Sequence, residues 1–290
     1  MATQTLFDLT LDLIRKIGGE GLTEGVATGG STTTLVDAQH LSLFPDDYFN
    51  RGKAARGSLW IVYDAGAAGA APEKEMRRIS DFVKSTTTLT VDTAFSVAPA
   101  SGDWYAAATG EHNLQRLIMH INRAIRKYYP RKLVVDTSSI TAATSTLEYT
   151  LPATDIEVIR VERITNTTTN AKTPITNWKQ QKTATGSADK LVFDDQPPVN
   201  YGIELTYTTR FTPLRLETDS LDEGANADLI VARAAFNLAG EAFLDMDVKM
   251  RKNAKDYMTF LQGEMQELEQ RLLEPLTQHT PRVRTLVNRM

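Results

Sequence analysis

Hydrophobic spacing divides the chain into helical stretches separated by strand-like ones. In QTLFDLTLDLIRKI (residues 4–17), Leu6, Leu9, Leu13 and Ile17 recur at helical spacing, and Leu11 and Ile14 widen the stripe. Thr3 or Thr5 can cap the start. Gly18 and Gly19 supply a left-handed stop, and Arg15 and Lys16 sit where the helix dipole favours cations. Between Glu111 and Tyr129 a second stripe runs through Leu114, Leu117, Ile118, Ile121, Ile125 and Tyr128, closed by Pro130. The longest helical run, 225–273, has two halves. From Leu229 to Phe243 it is apolar on nearly every side, which predicts a helix surrounded by protein. Arg233, Asn237 and Glu241 interrupt that run, and it is shorter than the ~20 apolar residues a bilayer requires. Beyond it, Met250, Ala254, Tyr257, Met258, Leu261, Met265, Leu268 and Leu272 form one buried stripe. Asp245 or Asp247 can cap a separate second helix, although the join contains no glycine or proline and one unbroken helix fits the same pattern. Pro275 is expected to end the run.

Between the helices the period shortens to that of strands. SLWIVYD (58–64), STTTLTVD (85–92) and GDWYAAA (102–108) read as strands bounded by turn residues, with AGAAGAAPE (65–73) as a loop. STTTLVDA at Ser31–Ala38 and STTTLTVDTAF at Ser85–Phe95 echo one another, which suggests a small barrel or sandwich of related hairpins. LEYTLP, IEVIRVERIT, KLVFDD and GIELTYTTRF form a second set of strands, while NTTTNAKTP and QQKTATGSADK read as polar hairpin loops. The expected fold is α+β. A central bundle of four helices (1–24, 111–131 and 222–274) carries two inserted antiparallel β-rich units (25–110 and 132–212). An extended tail (275–290) follows.

Composition narrows the function. The chain has 290 residues, 41% hydrophobic and 23% charged, which is an ordinary globular balance. A net charge of −4 argues against a protein that coats nucleic acid over its whole surface. No cysteine is present, which removes disulfides and thiolate metal sites. Residues 1–17 lack the basic start and apolar core of a signal peptide, so export is not expected. TGGSTTT (28–34) lacks the Gly-Lys-Ser/Thr ending of a phosphate loop and reads as a turn into a strand. His112 and His120 are eight apart on one helix, too far for ligands one turn apart, and His40 and His279 lack a local carboxylate–histidine pattern. Asp46-Asp47 and Asp194-Asp195 read as exposed turns. With no nucleophile or HExxH motif either, neither enzyme activity, metal nor cofactor is expected.

Three charged features carry functional alternatives. Arg123, Arg126 and Lys127 make the end of the second helix basic, either as solvated charge favoured by the dipole or as a contact for an acidic partner or DNA. In the last helix Lys249, Arg251, Lys252 and Lys255 crowd the start while Glu264, Glu267 and Glu269 crowd the end, both against the dipole. An exposed helix accounts for this, and so does a neighbouring subunit in a head-to-tail ring. The tail mixes Arg282, Arg284 and Arg289 with Val283, Leu286 and Val287. It reads as a frayed end or as a peptide that orders on a partner's groove or sheet edge.

The helices NLQRLIMHINRAIRKYY and DLIVARAAFNLAGEAF, the striped helix after them and the phrase LEYTLPATDIEVIRVERI resemble the head-to-tail adaptors of tailed bacteriophages. The passage YTTRFTPL…TDSLDEGANADLIVARAA is similar in the same way, and the resemblance covers roughly Leu114–Leu273. It implies a structural virion protein at the neck, assembled in the host cytoplasm, with no membrane contact. About twelve copies would form a ring beneath the portal, above a tail or nozzle protein, around a channel for DNA. The tail, Pro275–Met290, would dock onto the portal. The first β-unit departs from the minimal helical adaptor. Two other readings use the same residues differently: a tail-fibre or other peripheral virion protein whose β-units bind receptor or capsid, and a cell-wall hydrolase. Neither sustained heptads nor the short repeats of a fibre occur.

Overall fold

The computed structural model describes residues 4–17, 21–50, 56–128, 131–142, 146–166, 169, 171–183, 187–196, 202–245 and 251–278. Among them the chain is α+β, with four α-helices and three antiparallel sheets. It divides into two compact units: Met1–Ile125 with Pro213–Leu221 and Asn226–Met290, and Arg126–Thr212 with Asp222–Ala225.

Helix α1 (Leu6–Ile17) opens the first unit and buries Leu6, Phe7, Leu9, Leu11, Leu13 and Ile14. Thr5 supplies the cap. Its amide and hydroxyl donate to Asp8 Oδ2 at 2.9 and 2.8 Å, and the Asp8 amide donates back to Thr5 Oγ1 at 3.3 Å. The Leu6 and Phe7 amides, orphans of the first turn, donate to the carbonyls of Asp219 and Glu217 at 2.8 and 3.2 Å. The expected Gly18-Gly19 stop lies outside the described residues.

Seven strands follow: β1 (Leu22–Val26), β2 (Gly29–Ser31), β3 (Thr34–Val36), β4 (Ser58–Tyr63), β5 (Met76–Val83), β6 (Thr88–Val91) and β7 (Trp104–Ala108). They form one antiparallel sheet in the order β1-β7-β4-β5-β6-β3-β2. Its edge strands, β1 and β2, are separated only by Ala27 and Thr28. The Ala27 amide donates to Asp103 on the β7 side, at 2.8 Å, and the Thr28 amide donates to Val36 of β3, at 2.7 Å. Two edges joined by two residues require a sheet curled back on itself, as in a barrel. The echoed segments are neighbours in it: β3 pairs β6 with Leu35 opposite Leu89. Leu35, Leu59, Ile61, Ile79, Phe82, Leu89 and Tyr105 fill the interior. Trp60 faces the other way, is fully buried, and donates from Nε1 to Thr10 Oγ1 on α1 at 3.0 Å.

Three helices complete this unit's chain. Helix α2 (Leu114–Arg126) is capped by Asn113 Oδ1, which accepts from the Gln115 amide at 2.9 Å. Helix α3 (Ala227–Asp245) is capped by Asn226 Oδ1 through the Leu229 amide at 2.9 Å, and it buries Leu229, Ile230, Val231, Ala232, Ala234, Ala235 and Leu238, as its all-round apolar pattern predicts. Helix α4 (Arg251–Gln278) runs back along α3: Arg233 pairs with Glu269, and a Cβ added at Gly240 would lie 3.6 Å from Met258 Cε. The join itself lies outside the described residues.

The second unit contains β8 (Lys132–Thr141), β9 (Glu148–Thr150), β10 (Glu157–Asn166), β11 (Ala171–Pro174), β12 (Trp178–Gln181), β13 (Lys190–Phe193) and β14 (Gly202–Thr209). They form sheets ordered β11-β10-β14-β8 and β12-β13-β9. One core, including Ile140, Leu151, Ile156, Val161, Leu191, Phe193, Ile203 and Leu205, draws on both sheets.

Four expectations need correction. Ala171–Pro174, read as loop, is the edge strand β11, and Gln180 and Gln181 belong to β12. Edge strands carry lysine, proline and polar residues that discourage further pairing, so they imitate loops in sequence. The strand expected from Ser85 starts at Thr88, because a 3-10 turn at Lys84–Thr86 and left-handed Thr87 (φ 49°) make the β5–β6 hairpin. The second helix starts at Leu114 instead of Glu111, after a 3-10 turn at Gly110–His112, because Asn113 rather than an earlier residue supplies the cap. The last helix passes Pro275 and continues to Gln278; a proline so near a helix end removes one donor without disturbing a long ladder behind it.

Candidate assembly interface

The sequence-predicted charges separate into groups once the helices pack. Glu264, Glu267 and Glu269 lie well before the end of α4 and each meets a cation of the same chain. Glu264 Oε1 is 2.5 Å from Lys16 Nζ, Glu267 Oε1 is 2.5 Å from Arg271, and Glu269 pairs with Arg233. Beside the first pair, the Tyr257 hydroxyl donates to the Lys16 carbonyl at 2.9 Å, closing the last turn of α1. Burial, with Glu264 nearby, pushes the Tyr257 phenol above its ordinary value. Lys255 is exposed on the first turns of α4; Arg251 and Lys252 belong to the first turn, and Lys249 lies outside the described residues.

Glu241, which in sequence only interrupts an apolar helix, gathers charge from α2. His120 is fully buried and its Nε2 lies 3.0 Å from Glu241 Oε2, while Arg116 and Arg123 approach the same carboxylate at 3.5 and 3.4 Å. Burial lowers the His120 pKa, against the pull of Glu241 and with the help of the two arginines. The ring is therefore neutral near pH 7 with Nε2–H donating to Glu241. Nδ1 has no hydrogen-bond partner. Arg123 is thus exposed but already engaged, and Arg126 and Lys127 at the end of the helix are exposed as well. Sequence reasoning missed Glu241 as a gathering point; the signal that could have found it is that a lone acid inside an apolar helix needs a partner when the helix packs.

The remaining candidates fall where turn chemistry put them. TGGSTTT forms the β2–β3 hairpin. Asp46 accepts from the Lys84 amide at 2.6 Å, Asp47 has φ 59°, and Asp194 and Asp195 are exposed. Among the described residues no group of three or more His, Asp or Glu is placed to hold a metal ion. Among them, too, no helix is long and apolar enough to cross a membrane. His279 and the tail residues Arg282, Val283, Arg284, Leu286, Val287 and Arg289 lie outside the described residues.

With this geometry in place, comparison decides the family. The model of the SU10 adaptor protein family matches residues 77–285, more than half of the 290-residue chain. The chain belongs to the SU10 adaptor protein family. It is a phage structural adaptor, a component of the virion that works by contact with other virion components. The match begins on β5, inside the seven-stranded sheet, and so covers α2, all of the second unit, α3 and α4. A search of curated proteins finds no match for the chain.

Proposed function

We propose that this SU10-family adaptor is the head-to-tail connector of its particle. About twelve copies form a ring beneath the portal, join the DNA-filled head to the tail or nozzle protein, and leave a channel for DNA. The helices of 1–24, 111–131 and 222–274 make a central bundle, and 25–110 and 132–212 project from it as inserted units. The family match over 77–285 carries this reading, and the layout of α2, strands, α3 and α4 is consistent with it.

Within the ring, Lys255, Arg251, Lys252 and Lys249 are the cations for a contact between copies, since Glu264, Glu267 and Glu269 already have partners in their own chain. Arg126 and Lys127, with Arg123 beside them, face DNA or an acidic partner. The segment 275–290 anchors the ring to the portal through Arg282, Val283, Arg284, Leu286, Val287 and Arg289.

Cryo-electron microscopy of purified parent particles tests this directly. The expected result is a ring of this chain at the neck, with its C-terminal segment against the portal. Density for the chain on a fibre or on the capsid shell overturns the connector reading.

A further inference from the structure

One end of the seven-stranded sheet carries an open recess. Val26, Trp104 and Tyr63 stand in register on the neighbouring strands β1, β7 and β4. They are 41%, 58% and 40% exposed, and the Trp104 and Tyr63 rings meet edge to face at 5.9 Å. A tryptophan more than half exposed is uncommon, and here it borders a cavity of about 290 Å³ with Arg15, Glu24 and His40 also in its wall.

His40 in that wall is held from within the sheet. Asp37 is fully buried; its Oδ2 accepts from the Tyr105 hydroxyl at 2.8 Å and from His40 Nδ1 at 3.1 Å. Its Oδ1 accepts from the Gln39 and His40 amides at 2.9 and 3.0 Å. His40 is thereby oriented, and its other ring nitrogen is left for a ligand. Gly25 lets β1 pack closely over this buried group: a Cβ there would lie 2.7 Å from both Asp37 Oδ2 and the Tyr105 hydroxyl. On the rim, Arg15 Nε donates to Glu24 Oε1 at 2.8 Å, both side chains nearly half exposed.

We infer that this recess binds a neutral saccharide, one sugar ring lying against the Trp104 indole with its hydroxyls bonded to Glu24, Arg15 and His40. The three apolar side chains expose on the order of 300 Å², well short of the ~800 Å² per partner that a specific protein interface buries. A small ligand fits that area better than a second chain. The Arg15 charge is offset by Glu24, so the rim does not favour an anion or a cation. It offers donors and acceptors together beside an aromatic face, which is what a polyhydroxylated ring with an apolar C–H face requires.

The inference rests on the sheet end alone and not on the position of the chain in the virion. Its test is isothermal titration calorimetry of the full-length chain with hexasaccharides of glucose and of N-acetylglucosamine, alongside a printed array of neutral bacterial surface glycans. Saturable binding is expected, weakened about tenfold or more by Trp104→Ala and reduced by Glu24→Gln. Trp178→Phe, a change in the other unit, leaves it intact. Absence of binding to every saccharide, or equal binding by Trp104→Ala chain of unchanged circular dichroism, overturns the inference. A chain that binds saccharide yet is missing from the neck overturns the connector reading instead.

Discussion

The two β-regions are both antiparallel, yet they bury their strands in different ways. In the first unit, β4 and β7 are covered on both faces: Leu59, Ile61, Tyr105 and Ala107 point into the curled sheet, while Trp60, Ala106 and Ala108 are equally buried on the opposite side. In the second unit, β8 alternates. Val134 packs toward the shared core, and Leu133 and Val135 are 60% and 57% exposed. A strand held between a packed interior and a helix reads as a continuous apolar run, SLWIVY. In β8 the burial alternates although Leu133, Val134 and Val135 are all apolar, so a short apolar run does not by itself report how many layers cover a strand.

The largest effect that bears on this comparison is expected from Trp60→Ala. It empties the space between β4 and α1 and leaves the Thr10 hydroxyl without its donor, at a cost of about 3–5 kcal/mol; urea unfolding of the full chain measures it. Protection of the β4 and β7 amides from hydrogen exchange should fall with it, and unchanged protection there would show that the outer face of β4 is not a core. Leu205→Ala in the second unit should cost about 3 kcal/mol, with lost protection confined to β8, β10 and β14.

Acidification sharpens the contrast. In the first unit, burial holds both His112 and His120 below the ordinary value of 6.5, so the unfolded chain takes up protons first. That unit should lose stability as pH falls below 6.5. In the second unit, burial works to raise the Asp222 carboxyl, but Lys132 at 2.6 Å and the Thr212 amide overcome it and hold the group below 3.8. Its contribution is present above 3.8 and is lost only below that value. Protection factors, exchange corrected for its intrinsic pH dependence, should thus fall on β4 and β7 before β10 and β14 between pH 7 and pH 4. The reverse order sinks the assignment. Smallest of all, Leu133→Ser on the wet face of β8 should change stability by less than about 0.5 kcal/mol, read from the same urea transition.

Local pattern made much of the fold legible. The helix stripes were readable because each buried residue is set by its neighbours three and four positions away. The cap at Thr5 and the all-round burial of α3 followed from the same short-range logic. The edge strands β11 and β12 were not legible, since an edge carries the polar residues of a loop. Of the candidate interface, the charges were visible but not their partners: Lys16 with Glu264 and Arg233 with Glu269 are separated by long stretches of chain.

By itself the sequence determined the helices, most of the strands, the absence of cysteine chemistry and the resemblance that the family match upholds in its coarse form. Only the tertiary structure decided that β1 and β2 become opposite edges of one sheet joined by Ala27 and Thr28, that Glu241 gathers His120, Arg116 and Arg123, and that Gly25 packs closely against Asp37 and Tyr105. The reason is range. Spacing and capping act within a turn or two of chain, whereas these contacts depend on which distant surfaces meet when apolar faces are buried, and no local pattern records that choice.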